Sequence, residues 1–154
     1  ACGRKKLKGP LEMTQKWFAP GKDCPDGEKL RMEVFVAEQH VPPEDEMVKL
    51  DSSCWHLVLY DGQIPVATGR LVNEGNHVWH PGRIAVTTGY RGHGVGAELV
   101  QALIAKGSEL GAKKLNLLAQ CHAEGFYERC GFTSLHEHCM DAGIPHVKMQ
   151  YLYE

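Results

Sequence analysis

The chain has 154 residues, 43% of them hydrophobic, and 17 lysines and arginines against 19 acidic residues give it a formal charge of −2. That length suits one domain around a single buried core, and the composition is that of an ordinary soluble globular protein, expected in the cytoplasm. No basic excess offers nucleic acid a footprint, and no apolar run approaches the roughly 20 residues that a membrane span needs.

Residues 1–10 hold Arg4, Lys5, Lys6 and Lys8. They read as a flexible, solvated tail at the start of a single 1–154 domain, with no signal-peptide pattern. Pro25-Asp26 is a helix start signal, and residues 27–39 then bring Leu30, Val34 and Phe35 onto one helical face, with Met32 and Val36 nearby. Residues 41–50 are rich in proline and acid: Pro42, Pro43, Glu44, Asp45 and Glu46. They read either as a solvated connection or as the wall of a pocket that attracts an amine. Residues 55–60 and 66–72 are strands joined by an Asp61-Gly62 turn, and a turn over 73–76 leads into a third strand over 78–86. Inside that strand Pro81-Gly82 predicts a bulge or a break.

The third strand runs into Thr87-Thr88-Gly89-Tyr90-Arg91-Gly92-His93-Gly94-Val95-Gly96-Ala97. With no Cβ at 92, 94 and 96 the backbone bends sharply, and a ligand reaches the amides unobstructed. The helix behind this turn carries Leu99, Val100, Leu103, Ile104 and Leu110 at helical spacing and stops at Gly111. Its N-terminus aims unpaired amides and the positive end of the helix dipole at the turn, which makes a site for phosphate. A P-loop is excluded, because no Gly-Lys-Ser/Thr closes the turn. Gly92, Gly94 and Ala97 meet the dinucleotide-binding spacing, but about twenty residues on, where an acid should meet the ribose, stand Lys113, Lys114, Leu115, Asn116, Leu117 and Leu118. A turn that serves only strand-to-helix packing is the remaining alternative.

Residues 114–119 form the next strand and 125–130 a short helix ended by Gly131. Residues 134–138 and 147–152 are the last two strands, parted by Asp141-Ala142-Gly143. An antiparallel meander, a crossover helix and a parallel return strand make a mixed α/β sheet covered by helices. The six cysteines, Cys2, Cys24, Cys54, Cys121, Cys130 and Cys139, include no CxxC pair and no paired zinc spacing, and read as reduced, intracellular thiols. Cys121 and Cys130 are read as small buried residues rather than nucleophiles. Strand alternation puts Cys139 opposite His136 and His138, so no metal is expected.

Arg91-x-x-Gly94-x-Gly96 and the later Phe126-Tyr127-Glu128-Arg129-Cys130-Gly131-Phe132 resemble two motifs of the GNAT superfamily of acyl-CoA-dependent N-acetyltransferases. Val34-Phe35-Val36-Ala37-Glu38-Gln39, Ala119-Gln120 and Ala142-Gly143-Ile144-Pro145-His146-Val147-Lys148-Met149 resemble its small ElaA/YjcF-type proteins. The resemblance spans residues 27–150. It implies the GNAT fold: a mixed, mostly antiparallel twisted sheet of six to seven strands, about four helices, and a central parallel pair whose strands splay apart. It also implies acetyl-CoA as co-substrate, an amine acceptor and no nucleic acid, membrane or metal, with homodimers common among its members.

Acyl transfer to an amine needs a held thioester, a neutral nucleophile and a proton for the departing thiolate. Holding falls to Arg91, Gly92, His93, Gly94, Val95, Gly96 and Ala97 around the pyrophosphate, and to the strand edge Ile84, Ala85 and Val86 beside pantetheine. The Val86 amide is placed to polarise the thioester carbonyl. Tyr127 is the expected proton donor, a phenol reasonably matched to a thiolate, and the resemblance puts it at the sulfur. Gln120 stands where the family often has a pantetheine-binding asparagine. Glu38, Asp51, His56, His122, Glu124 and His146 are bases by type, and the motif around His146 favours it. The competing readings are an acyl-CoA-binding module without catalysis, and nucleotide binding.

Overall fold

The computed structural model describes residues 11–40 and 53–154. The basic cluster at 4–8, the acidic loop at 41–50, Asp51 and Cys2 lie outside the described residues. Among the described residues seven strands make one sheet in the order β1-β2-β3-β4-β5-β7-β6. They are β1 (Met13–Phe18), β2 (Trp55–Asp61), β3 (Ile64–Gly75), β4 (Val78–Val86), β5 (Lys114–Gln120), β6 (Thr133–Asp141) and β7 (Ile144–Leu152). Among the described residues there are three α-helices, α1 (Pro25–Arg31), α2 (Val95–Glu109) and α3 (Glu124–Arg129), against the four expected.

β2 shows why the sheet is covered on both sides. Side chains alternate along a strand; Leu57 and Leu59 pack with Leu71, Leu99 and Leu103 under α2, while Val58 faces the other way into Leu30 and Cys24 of the α1 side. A second core joins β5 and β7 to α2 and α3 through Leu115, Leu117, Val147, Met149, Ile104, Tyr127 and Phe132. α2 carries glycine at 96 and 107, each costing a helix about 1 kcal/mol relative to alanine. Burial of Val95, Leu99, Val100, Leu103 and Ile104, each contributing roughly 1.5–3 kcal/mol, outweighs that loss. Packing, not propensity, holds this helix.

Two elements differ from the sequence reading. β1 is a seventh strand, antiparallel to β2 at the sheet edge, that the periodicity did not single out. Its middle residues are exposed, so its polar-rich pattern is that of an edge strand packed on one side. The helix expected over 27–39 begins at Pro25 and changes winding: α1 passes directly into a π-helical segment, Met32–Glu38. The apolar spacing of Leu30, Val34 and Phe35 fits either winding, so it does not separate them.

The bulge predicted at Pro81-Gly82 is present. Between Thr68/Ala85 and Arg70/Gly82 three steps of β4 oppose two of β3, and Arg83 takes the left-handed conformation at φ +49°. A bulge bends its strand and raises its twist. β4 and β5 are indeed the parallel pair, but their only rungs are Val78↔Lys114 and Trp79↔Leu115, not at 83–86. Beyond Trp79 the strands part.

Gly107 sets how closely α2 lies on the sheet. A Cβ there would clash with the Tyr153 hydroxyl and stand 3.1 Å from Leu115 Cδ2. Tyr153 in turn donates a hydrogen bond to the Ile104 carbonyl at 2.6 Å. Gly107→Ala is therefore expected to lower stability by about 1–2 kcal/mol, the overpacking cost outweighing the helix gain, as read from a denaturant midpoint. Adding Tyr153→Phe should recover part of the loss.

Candidate functional site

The parting of β4 and β5 opens a cleft of about 1280 Å³, larger than the roughly 300–1,000 Å³ of a drug-sized site and suited to a long ligand. One wall is β4 and the glycine turn, the other is the C-terminal end of β5 with α3, and the π-helical segment and the β6–β7 turn lie over it. Ile84, Ala85, Val86, Arg91, Gly92, Gly94, Gly96, Ala97, Gln120, Tyr127 and His146 all line this space. His93 and Val95, also expected in the cradle, do not. The Val95 side chain is 1% exposed in the core under α2, which leaves only its backbone for a ligand.

The turn is shaped to receive an anion. Gly94 caps α2 at φ +80°, ψ 2°, left-handed backbone that a side chain disfavours. The first bond across the cap runs from the Glu98 amide to the Gly94 carbonyl at 3.1 Å. The amides of Val95, Gly96 and Ala97 precede it and have no acceptor within the helix. Gly96 faces the cleft as well: a Cβ there would stand 3.4 Å from Phe126, at the near limit of ordinary contact.

The turn is tied down on several sides. Tyr90 donates to Asp61 at 2.8 Å, and the Thr87 amide donates to the Val66 carbonyl at 2.9 Å. The Glu12 amide and the Tyr90 hydroxyl hold the Asp61 carboxyl below its usual range. Arg91 Nε donates to the Val86 carbonyl at 2.9 Å, and its Nη2 to Glu38 Oε2 at 2.6 Å. Thr88 donates to the other Glu38 oxygen at 2.9 Å, and Thr87 to Glu33 at 3.2 Å.

Tyr127 lies on α3 between Phe126 and Phe132, edge to face with both, and is 8% exposed. Burial pushes its phenol above the ordinary value, with Cys130 adding to the shift. The hydroxyl therefore keeps its proton well past neutral pH. His146, 7% exposed, stands directly across from Gln120 in the β5–β7 ladder. Its Nδ1 is 2.7 Å from the Ile144 carbonyl. A carbonyl can only accept, so Nδ1 bears the hydrogen, and in the neutral ring Nε2 holds the lone pair.

The other bases by type are engaged or elsewhere. Glu38 is taken up by Arg91 and Thr88; His122 Nε2 donates to Gln120 Oε1 at 2.7 Å; Glu124 accepts the Ser134 hydroxyl at 2.8 Å. His56 is buried on β2 and does not line the cleft. Gln120 also donates to Gln39 Oε1 at 2.9 Å. Of the cysteines, Cys130 is buried at the end of α3 and burial raises its thiol, as expected for a packing residue; Cys121 is half-buried. Sequence reasoning missed Arg70, His80 and Arg83, which line the cleft where β4 leaves β5. Burial pushes His80 below the ordinary imidazole value, with Glu74 at 3.7 Å opposing and Arg70 and Arg83 adding to the fall. The Pro81-Gly82 signal marked that spot as irregular without naming its charges.

Comparison with known proteins gives the family and the fold. Residues 22–153 match the family model described as an acetyltransferase (GNAT) domain. YjcF of Bacillus subtilis (strain 168), named an uncharacterized N-acetyltransferase, is 40% identical over 122 residues, covering 78% of this chain and 86% of that one. An acyl-CoA N-acyltransferase from Pseudomonas aeruginosa superposes with a TM-score of 0.81 at 26% identity, over 91% of this chain and 99% of its own. Escherichia coli ElaA shares the fold, with a TM-score of 0.81 at 24% identity over 90% and 99% of the two chains. The chain belongs to the GNAT acetyltransferase family, as an ElaA/YjcF-like, acetyl-CoA-dependent acyltransferase.

Proposed function

We propose that this protein transfers the acetyl group of acetyl-CoA to a primary amine, of a small molecule or a protein, by direct attack while both substrates are bound. The observation that carries this reading is the cleft itself. A glycine turn at a helix N-terminus, a strand edge that β5 leaves unpaired along Ile84, Ala85 and Val86, a protonated phenol and an imidazole lone pair all meet there. The amides of Gly94 to Ala97 suit a diphosphate, and the free edge of β4 suits an extended pantetheine arm, added as a strand would be. The Val86 amide donates toward the carbonyl oxygen that gains charge. His146 Nε2 takes the amine proton, and Tyr127 gives its own to the departing sulfur.

A raised phenol value would by itself make Tyr127 a poorer acid. The same apolar surroundings disfavour a free thiolate equally, so the transfer stays near balance. The alternative, acyl-CoA binding without catalysis, leaves a buried phenol and a histidine lone pair in one cleft with no task.

Tyr127→Phe is expected to cut kcat by about 10²-fold or more while leaving the Kd for CoA within about threefold, because the ring still packs. His146→Gln is expected to lower kcat by a similar factor, with the loss reduced when the acceptor amine is supplied already deprotonated at high pH. Steady-state kinetics over an amine panel, with CoA release followed, checks both; CoA binding with no turnover of any amine would favour the silent module. The alkaline limb of kcat/KM should not descend at the ordinary phenol value of about 10, since burial places Tyr127 above it.

A further inference from the structure

Glu38 and Gln39 belong to a motif that the chemistry above leaves without a task, yet these two neighbours reach opposite walls of the cleft. Glu38 accepts Thr88 at 2.9 Å and Arg91 at 2.6 Å on the β4 side. Gln39 accepts the Gln120 amide at 2.9 Å on the β5 side, with a longer return contact of 3.5 Å, and His122 buttresses Gln120 at 2.7 Å. The two sheet rungs that join β4 to β5 lie at the far end, at Val78 and Trp79. Toward the open end the sheet offers nothing that fixes the spacing of the walls.

The π winding of Met32–Glu38 makes this reach possible. Glu33 and Glu38 are five residues apart, the hydrogen-bond spacing of a π-helix, and the Gln39 amide does bond the Val34 carbonyl at 3.0 Å. They therefore stack on one face and meet consecutive threonines, Thr87 and Thr88. In an α-helix the same pair would stand about 140° apart. The opposite face of the segment buries Val34 and Phe35 against Ala85 and Ile144. The segment is thus seated on both halves of the sheet.

We infer that Glu38 and Gln39 form a clasp that sets the width of the acyl-CoA slot, with Glu38 the positioning residue of the glycine turn. Glu38 acts through Arg91, which it holds against the Val86 carbonyl at the strand end that faces the thioester. Arg91 is then chiefly a strut, and the helix amides carry the diphosphate. This inference rests on the acetyl-CoA reading of the cleft and deepens it.

The test is titration of the intact protein with CoA by calorimetry, beside steady-state kinetics. Glu38→Gln and Gln39→Ala should each raise the Kd for CoA about threefold to tenfold, the modest size expected of half-exposed polar links, and leave kcat within about threefold. Thr88→Val removes one hydroxyl and should act in the same direction if the larger changes impair folding. In a double-mutant cycle, Glu38→Gln with Arg91→Gln should cost no more than the larger single loss, since both break one contact. A merely structural role would lower the melting temperature of the ligand-free protein without moving the Kd. An unchanged Kd overturns the clasp, and a tighter one in Glu38→Gln would mean that Glu38 withholds Arg91 from the diphosphate. Failure of the unmodified protein to bind CoA would instead overturn the underlying reading.

Discussion

The molecule depends on one interrupted interaction: β4 and β5 begin as partners and stop after two rungs. β5 is paired with β7 along its whole length, from Lys114↔Leu152 to Gln120↔His146. β4 is held by β3, but with a bulge at Arg83 that bends it. Each strand follows its better partner, and the seam between them opens. Backbone amides and carbonyls along an open seam need partners. It is this unpaired stretch of seam that gives the proposed extended pantetheine arm its place.

An open seam weakens the sheet where precision is wanted, and the remaining contacts compensate at long range. α2 joins the halves beneath, burying Leu99 and Leu103 against one and Val100 and Ile104 against the other. Above, the π-helical segment reaches Arg91, Thr88 and Gln120. The individual polar links are exposed or half-exposed and worth little each. Those to Thr88 and Arg91 meet, however, on the glycine turn, whose conformation already favours glycine at 94.

What the sequence discloses follows from how local each signal is. The strand, glycine turn and α2 are contiguous, so period, glycines and the helix start all speak of one place, and the sharp turn at a helix N-terminus is legible. The bulge is legible because proline and glycine interrupt a strand pattern. β1 is not, since an edge strand with exposed central residues lacks a buried alternation. The π winding escapes because apolar residues at 30, 34 and 35 serve either helix. Glu38 with Arg91 is a pairing across 53 residues, which no local pattern encodes; Glu38 by type reads as a base, and only its partners make it an anchor. His146 is the reverse case. Its chemical state rests on a carbonyl two residues away, and that geometry belongs to the β6–β7 turn.

The proposed acid and base both belong to the β5–β7 half of the sheet, but they stand in different surroundings for a physical reason. Tyr127 stands in an aromatic cluster with Phe126 and Phe132, where charge is penalised and the phenol stays neutral. His146 lines the cleft near the start of β7, where its Nδ1 is satisfied by backbone and the neutral ring keeps its lone pair on Nε2. A proton donor needs surroundings that resist its anion until a stronger base arrives, and a proton acceptor needs a lone pair that no neighbour has claimed. An apolar helix face supplies the first, and the start of a strand paired on both sides, at Gln120 and Cys139, supplies the second. The splay brings the two to one cavity, which a fully zipped sheet could not do.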